Sequence, residues 1–214
     1  MIPPPGYGED LDTLVQNAIA AETPNTIVPR WQGDPENGTP LLAVVCIQKR
    51  LDLAKQLLDA GATLSADEFA HVVWWWADAE AVTLLLTYKV PYNEWCLNAT
   101  ITHERWESLI AFLDAGASVQ TLIPAERTTA TMLHAVAYAG VEHMVRELIR
   151  RGAMVDALDS EGFTPLMKAC HFRAKQGNEL RNSDTVFRLL QAGANPNLPC
   201  PDGGRPCCFA YTYL

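Results

Sequence analysis

No apolar run in the sequence approaches the roughly 20 residues that a membrane-spanning helix needs. The opening Met1-Ile2-Pro3-Pro4-Pro5-Gly6 lacks the basic and apolar regions of a secretory signal. These two absences predict a soluble, cytoplasmic protein with no membrane association. Basic residues are also scarce, 16 Lys and Arg against 25 Asp and Glu, for a formal charge of −9. That balance argues against nucleic acid, whose binders draw most of their affinity from Lys and Arg on phosphates. A neutral or basic protein is the easier partner, although the same charge equally serves solubility. Glycine-rich phosphate loops, nucleophile elbows and H-E-x-x-H are missing. No catalytic residue, enzymatic activity or cofactor is therefore expected. The six cysteines, Cys46, Cys96, Cys170, Cys200, Cys207 and Cys208, show no paired C-x-x-C spacing, which speaks against a metal site. Four of them are scattered through apolar segments, as reduced, buried thiols would be.

What the chain does contain is apolar surface and repetition. Apolar residues make up 49% of the 214 residues and charged residues 19%, enough to build a core against chain entropy. Superposing the sequence on itself aligns Leu57-Leu58-Asp59-Ala60-Gly61-Ala62 with Phe112-Leu113-Asp114-Ala115-Gly116-Ala117. Ile149-Arg150-Arg151-Gly152-Ala153 and Leu189-Leu190-Gln191-Ala192-Gly193-Ala194-Asn195 join the same alignment. Each reads as a helix end stopped by glycine, which reaches the left-handed conformation without a Cβ clash. A second set, Gly38-Thr39-Pro40-Leu41, Thr131-Met132-Leu133-His134 and Gly162-Phe163-Thr164-Pro165-Leu166, reads as helix starts with a polar cap and, in two of the three, a proline in the first turn. A degenerate Gly204-Arg205-Pro206-Cys207 extends it. From Thr131 to Gly152 lie two short apolar stretches separated by Gly140: a helix, a turn and a helix.

This unit closely resembles the ankyrin repeat, with its Thr-Pro-Leu-His opening, its inner and outer helices, and a Gly-Ala-Asp-Val-Asn lead into a β-turn finger. The resemblance implies an all-α solenoid of stacked helix-turn-helix units with β-turn fingers. It divides the chain into residues 1–33, an N-terminal capping helix and linker, and 34–214, about five repeats plus a C-terminal half repeat. Good copies run about 34–66, 126–158 and 159–198. Residues 67–93 and 94–125 keep the length but lose the signature, with Lys89 standing where glycine would cap. Residues 9–21 carry apolar positions at helical spacing. About eight extra polar residues near Arg173 to Ser183 are placed in solvent.

In the ankyrin family, inner helices and fingers line a concave groove. Carried over by alignment, the groove positions here include Ile47, Trp75, Trp76, His103, Tyr138, His171 and Phe172. Finger positions include Tyr92, Glu94, Glu161 and Phe163, with Glu36, Asp67, Arg127 and Ser160 beside them. Trp74-Trp75-Trp76 fans over about 200° of a helix, so one apolar face does not readily bury all three. The expectation is that Trp74 is buried and that Trp75 and Trp76 face the groove as anchors, the alternative being a repacked repeat that hides them all. His71 and His134 fall at the family's inner-helix histidine, which hydrogen-bonds between repeats.

The sequence thus predicts a non-catalytic protein-protein interaction module. The first expectation is a stoichiometric binder or immunity-type inhibitor that occludes a protein partner such as a basic toxin or enzyme. The alternative is a scaffold or adaptor that forms a homo-oligomer, or docks into an assembly, through Phe209, Tyr211, Tyr213 and Leu214 at the C-terminal end.

Overall fold

The computed structural model describes residues 10–28, 38–75, 78–125, 128–176 and 179–201. The chain divides into two compact units, Met1–Ala115 and Gly116–Leu214.

In the first unit, helix α1 (Leu11–Ala20) starts on Asp10, whose carboxylate accepts from the Asp12 N–H. It buries Leu11, Val15 and Ala18, spaced to share one face. The Arg50 guanidinium ties α1 down by bonding both carboxylate oxygens of Asp12, at 2.9 and 3.0 Å, and also Asp52. A short antiparallel pair follows, β1 (Ile27–Val28) with β2 (Thr39–Pro40). Three helix pairs come next: α2 (Leu41–Ile47) with α3 (Leu51–Asp59), α4 (Ala66–Trp75) with α5 (Ala79–Thr87), and α6 (Glu94–Thr102) with α7 (Trp106–Asp114). Inner helices α2, α4 and α6 pack in sequence, and outer helix α5 packs on α7. The core between them holds fully buried Leu41, Leu53, Phe69, Val82, Leu97 and Phe112. The Phe69 and Phe112 rings sit 5.5 Å apart, and each such side chain contributes roughly 1.5–3 kcal/mol on burial.

Glycine does end these outer helices as expected, and the exception behaves like the rule. Lys89 after α5 takes φ 57°, the left-handed conformation of Gly61 and Gly116. Lys49 and Glu104 adopt it too, in the turns leading to α3 and α7.

Fingers do not precede α4 or α6. Ser65 caps α4 at once: its N–H and hydroxyl donate to the Glu68 carboxylate at 2.7 and 2.8 Å, and its oxygen accepts from the Glu68 N–H. Asn93 caps α6 by accepting from the Trp95 and Cys96 N–H groups. Strong caps this soon after the preceding helix leave no chain for a finger. Asp67 and Glu94 therefore lie in first helical turns, and Tyr92 lies in the short connection with its ring 5.1 Å from Phe112.

The second unit opens with a true hairpin, β3 (Leu122–Ala125) and β4 (Thr128–Thr131), pairing Leu122 with Thr131 and Pro124 with Thr129. Helices α8 (Met132–Ala139), α9 (Glu142–Arg150), α10 (Pro165–Gln176) and α11 (Glu179–Gln191) complete it. Inner α8 packs on α10 and outer α9 on α11. On either side of residues 177 and 178, which lie outside the described residues, the added length is helical: α10 and α11 have 12 and 13 residues, against 8 and 9 in α8 and α9. The finger between α9 and α10 is organised by Asp159. One carboxylate oxygen accepts from the Glu161 and Phe163 N–H groups, and the other meets the Lys168 ammonium at 2.8 Å. Burial pushes the Asp159 carboxyl up, but the Lys168 and Phe163 donors outweigh it and hold its pKa below the ordinary value. Neighbouring fingers are joined where Ser160 and Thr129 exchange hydrogen bonds.

Candidate protein-binding surface

In the first unit the outward face of α4 carries Asp67, His71, Trp74 and Trp75, all exposed and at spacings that share one side of a helix. Trp74 is 38% exposed and Trp75 39%. The burial expected for Trp74 is thus corrected: Val72 and Val73 fill the core positions of this turn, and both tryptophans are left outside. They are not loose. His103, the C-cap of α6, meets the Trp74 ring edge-on at 4.7 Å. The Arg105 guanidinium donates to the carbonyls of Val73, Trp74 and Trp75, the last two at 3.4 and 3.2 Å. These are carbonyls a helix end leaves without intrahelical partners, and a cation there also suits the helix dipole. Partial burial, with Arg105 nearby, lowers the His103 pKa and favours the neutral ring.

At the other end of the same face, Asn93 donates to the Asp67 carboxylate at 2.8 Å, Glu94 is exposed, and Trp95 is 51% exposed. Ile47 is half-buried at the end of α2. Reasoning from sequence missed Trp95 and the Arg105 clamp. Trp95 directly follows the Asn93-Glu94 helix start, which was the available signal. Trp76 lies outside the described residues.

The second unit presents Tyr138 at the end of α8, 42% exposed. Phe163 is half-buried with the Lys168 ammonium 4.5 Å from its ring centre. Exposed Glu161 pairs with the same ammonium at 3.1 Å, so the single cation of Lys168 is shared between Glu161 and Asp159. His171 and Phe172 lie within α10, and their side chains fall outside the described residues, as do Glu36, Arg127, Cys207, Cys208 and the C-terminal aromatic segment.

His134 is buried and structural. Its Nδ1 faces the Thr131 hydroxyl at 2.7 Å and the Thr131 N–H at 3.3 Å, while Nε2 donates to the Phe163 carbonyl at 3.0 Å in the next repeat. His71 does not repeat this arrangement. Alignment of the repeats matches it with His134, but α4 begins earlier relative to that histidine, on Ser65, and Glu68 takes the position three residues past the cap. His71 is consequently exposed, and the short connection after α5 offers no finger carbonyl to receive it. Cys46 and Cys96 are buried free thiols, pushed up mainly by burial to about 12 and about 11, so neither is an activated nucleophile.

Stacked helix pairs with glycine-capped outer helices, an inner-helix histidine bridging to the next finger, and exposed inner-helix aromatics define a repeat scaffold that presents a binding surface. Residues 107–200 match the family model for ankyrin repeats, in three copies, so this stretch of the chain is built of ankyrin repeats. A human relative, ankyrin repeat and SOCS box protein 16, is 30% identical over 167 residues, 73% of this chain and 36% of that protein. The chain thus spans about a third of the length of that curated relative. Among solved structures, the ankyrin repeat domain of Bcl-3, a member of the IkappaB protein family, superposes with a TM-score of 0.65 at 17% identity, over 94% of this chain and 93% of that one. A chain from the Bd0816 predatory endopeptidase of Bdellovibrio bacteriovorus in complex with immunity protein Bd3460 gives 0.61 at 17% identity, over 77% of this chain and 87% of that one. At this identity the two structures show a shared fold. Ankyrin repeats are protein-protein interaction modules. Among the described residues, no helix is long and apolar enough to cross a membrane.

Proposed function

We propose that this chain is a non-catalytic, stoichiometric protein binder that acts by occlusion, in the manner of an inhibitor or immunity protein. The observation that carries the proposal is the Trp74–Trp75 pair, exposed yet fixed by His103 and Arg105. Rigid aromatic side chains lose little freedom on binding and are common interface hot spots. Exposed Asp67 and Glu94 on the same inner-helix face, and the charge of −9, favour a basic partner. The fold shared with a chain of an endopeptidase–immunity protein complex is consistent with this reading.

The test is affinity capture from the native source, followed by purification of the captured protein and measurement of stoichiometry. Wild type is compared with Trp74→Ala/Trp75→Ala after circular dichroism shows equal folding. A one-to-one complex that weakens at least 100-fold in the variant, with a partner whose activity the wild type blocks, supports the proposal. Unchanged affinity in the variant refutes the aromatic site, and a captured partner that stays fully active refutes occlusion.

A further inference from the structure

The outer helices of the first unit carry a second surface with a different character. Helices α5 and α9 are both nine-residue outer helices, so their positions compare directly. Where α9 places Glu142, His143, Arg146, Glu147 and Arg150, α5 places Ala79, Glu80, Thr83, Leu84 and Thr87. Five ionisable residues in one helix become one in the other.

The two threonines are less polar than they look. The Thr83 hydroxyl donates to the Ala79 carbonyl at 2.7 Å, and the Thr87 hydroxyl to the Thr83 carbonyl at 2.8 Å. With the hydroxyls turned back into the helix, their methyl groups remain for the surface. Leu84 and Leu86 beside them are half-buried.

Two grooves flank this helix, and Thr83 and Thr87 line both. One, about 660 Å³, lies between α3 and α5 and includes Leu51 and Leu84. The other, about 450 Å³, lies between α5 and α7 and includes Leu86, Ile110 and Ala111. Carboxylates punctuate the lining, Asp52 and Glu80 in the first and Glu107 and Asp114 in the second, against the single cation Lys55. Arg50 bonds Asp52 as well as Asp12, and Glu80, Glu107 and Asp114 are the further carboxylates along the apolar strip.

We infer that this outer face is a docking surface for a basic amphipathic helix of a partner protein. An apolar strip between parallel helices takes the i, i+3, i+4, i+7 face of such a helix, and its flanking Lys or Arg residues meet the carboxylates. Charge depletion is the mark of the central part of an interface. A second copy of this chain is the poorer occupant, because it would set acidic linings against each other in a protein of net charge −9. The surface lies on the outer helices and is independent of the inner-helix aromatic site.

The probe is a synthetic 18-residue peptide with Leu at i, i+3, i+4 and i+7 and Lys elsewhere, titrated into the full chain while methyl resonances are followed by NMR. Saturable shifts are expected at Thr83, Leu84, Leu86 and Ile110, with the Trp74 and Trp75 indoles undisturbed. Leu84→Glu lowers the affinity at least tenfold, and Thr83→Arg, at an exposed position, does the same by adding like charge. A peptide of identical composition with shuffled Leu positions binds at least tenfold more weakly. Shifts centred on the tryptophans, equal binding of the shuffled peptide, or unchanged affinity in Thr83→Arg overturns the inference. So does sedimentation showing that wild type dimerises and Thr83→Arg does not, since the face then belongs to a second copy.

Discussion

His134 makes the protein sensitive to mild acid, with a sign and a window that follow from its contacts. Nε2 donates to the Phe163 carbonyl, so Nδ1 is the unprotonated nitrogen facing Thr131. A second proton would have to sit on Nδ1, against the Thr131 N–H, in a residue that is 1% exposed. Burial accordingly lowers the His134 pKa. In the unfolded chain the ring takes its proton near pH 6.5, as an unperturbed histidine does. Below that pH and above the depressed native value, the unfolded state holds the extra proton, so stability falls as pH falls. The slope is at most about 1.4 kcal/mol per pH unit, or up to about 2 kcal/mol between pH 6.5 and 5.0. Carboxylates such as Asp12, Asp52, Glu147 and Asp159, whose pKa values are also lowered, are half-protonated in the unfolded chain only near pH 4, so most of their effect falls below this window. His103 acts in the same direction, so the comparison is run in a His103→Gln background. Urea unfolding of that protein and of its His134→Gln derivative, each at pH 7.5 and 5.0, isolates the effect. The derivative starts about 1–3 kcal/mol less stable, for the disturbed Phe163 and Thr131 partners, and shows a flatter pH response. An equally steep response in both proteins refutes the assignment.

Two further changes test the helix ends. Lys89→Gly places glycine at a left-handed residue where Gly61, Gly116, Gly152 and Gly193 already end the other outer helices. It raises stability by about 1 kcal/mol, read as a higher urea midpoint with the slope unchanged. Arg105→Ala frees the carbonyls of Val73, Trp74 and Trp75 and costs about 1–3 kcal/mol; Arg105→Lys restores little, because an ammonium does not reproduce the planar fork. Differential scanning calorimetry of the three proteins checks both halves of that statement.

Local conformational necessity was the part of this fold most readable from sequence. Glycine past a helix end reports a left-handed residue, and the repeat of that signal located the outer helices, including the one that ends on Lys89. Trp75 was rightly placed outside, because three successive helical residues do not share one face. The misreadings came from where helices start. Alignment to the family's inner-helix histidine placed His71 with His134, but the Ser65–Glu68 capping box begins α4 early and changes the environment of every residue near its start. The same early caps removed the fingers assigned to Asp67, Tyr92 and Glu94. The Arg105 clamp joins residues about 30 positions apart, a tertiary contact that periodicity does not encode. The pairing of Glu161 with Lys168 likewise depends on how the finger folds back.

The β3–β4 hairpin has a consequence for self-assembly. Thr129 directs its N–H and carbonyl toward Ser160, away from β3, and Pro124 is its partner across the pair. In antiparallel register the groups of Pro124 therefore point the opposite way, off the outer side of β3. An incoming strand would find no N–H there, because proline has none. The finger is lengthened into a ribbon whose outer strand offers one donor fewer to a further chain.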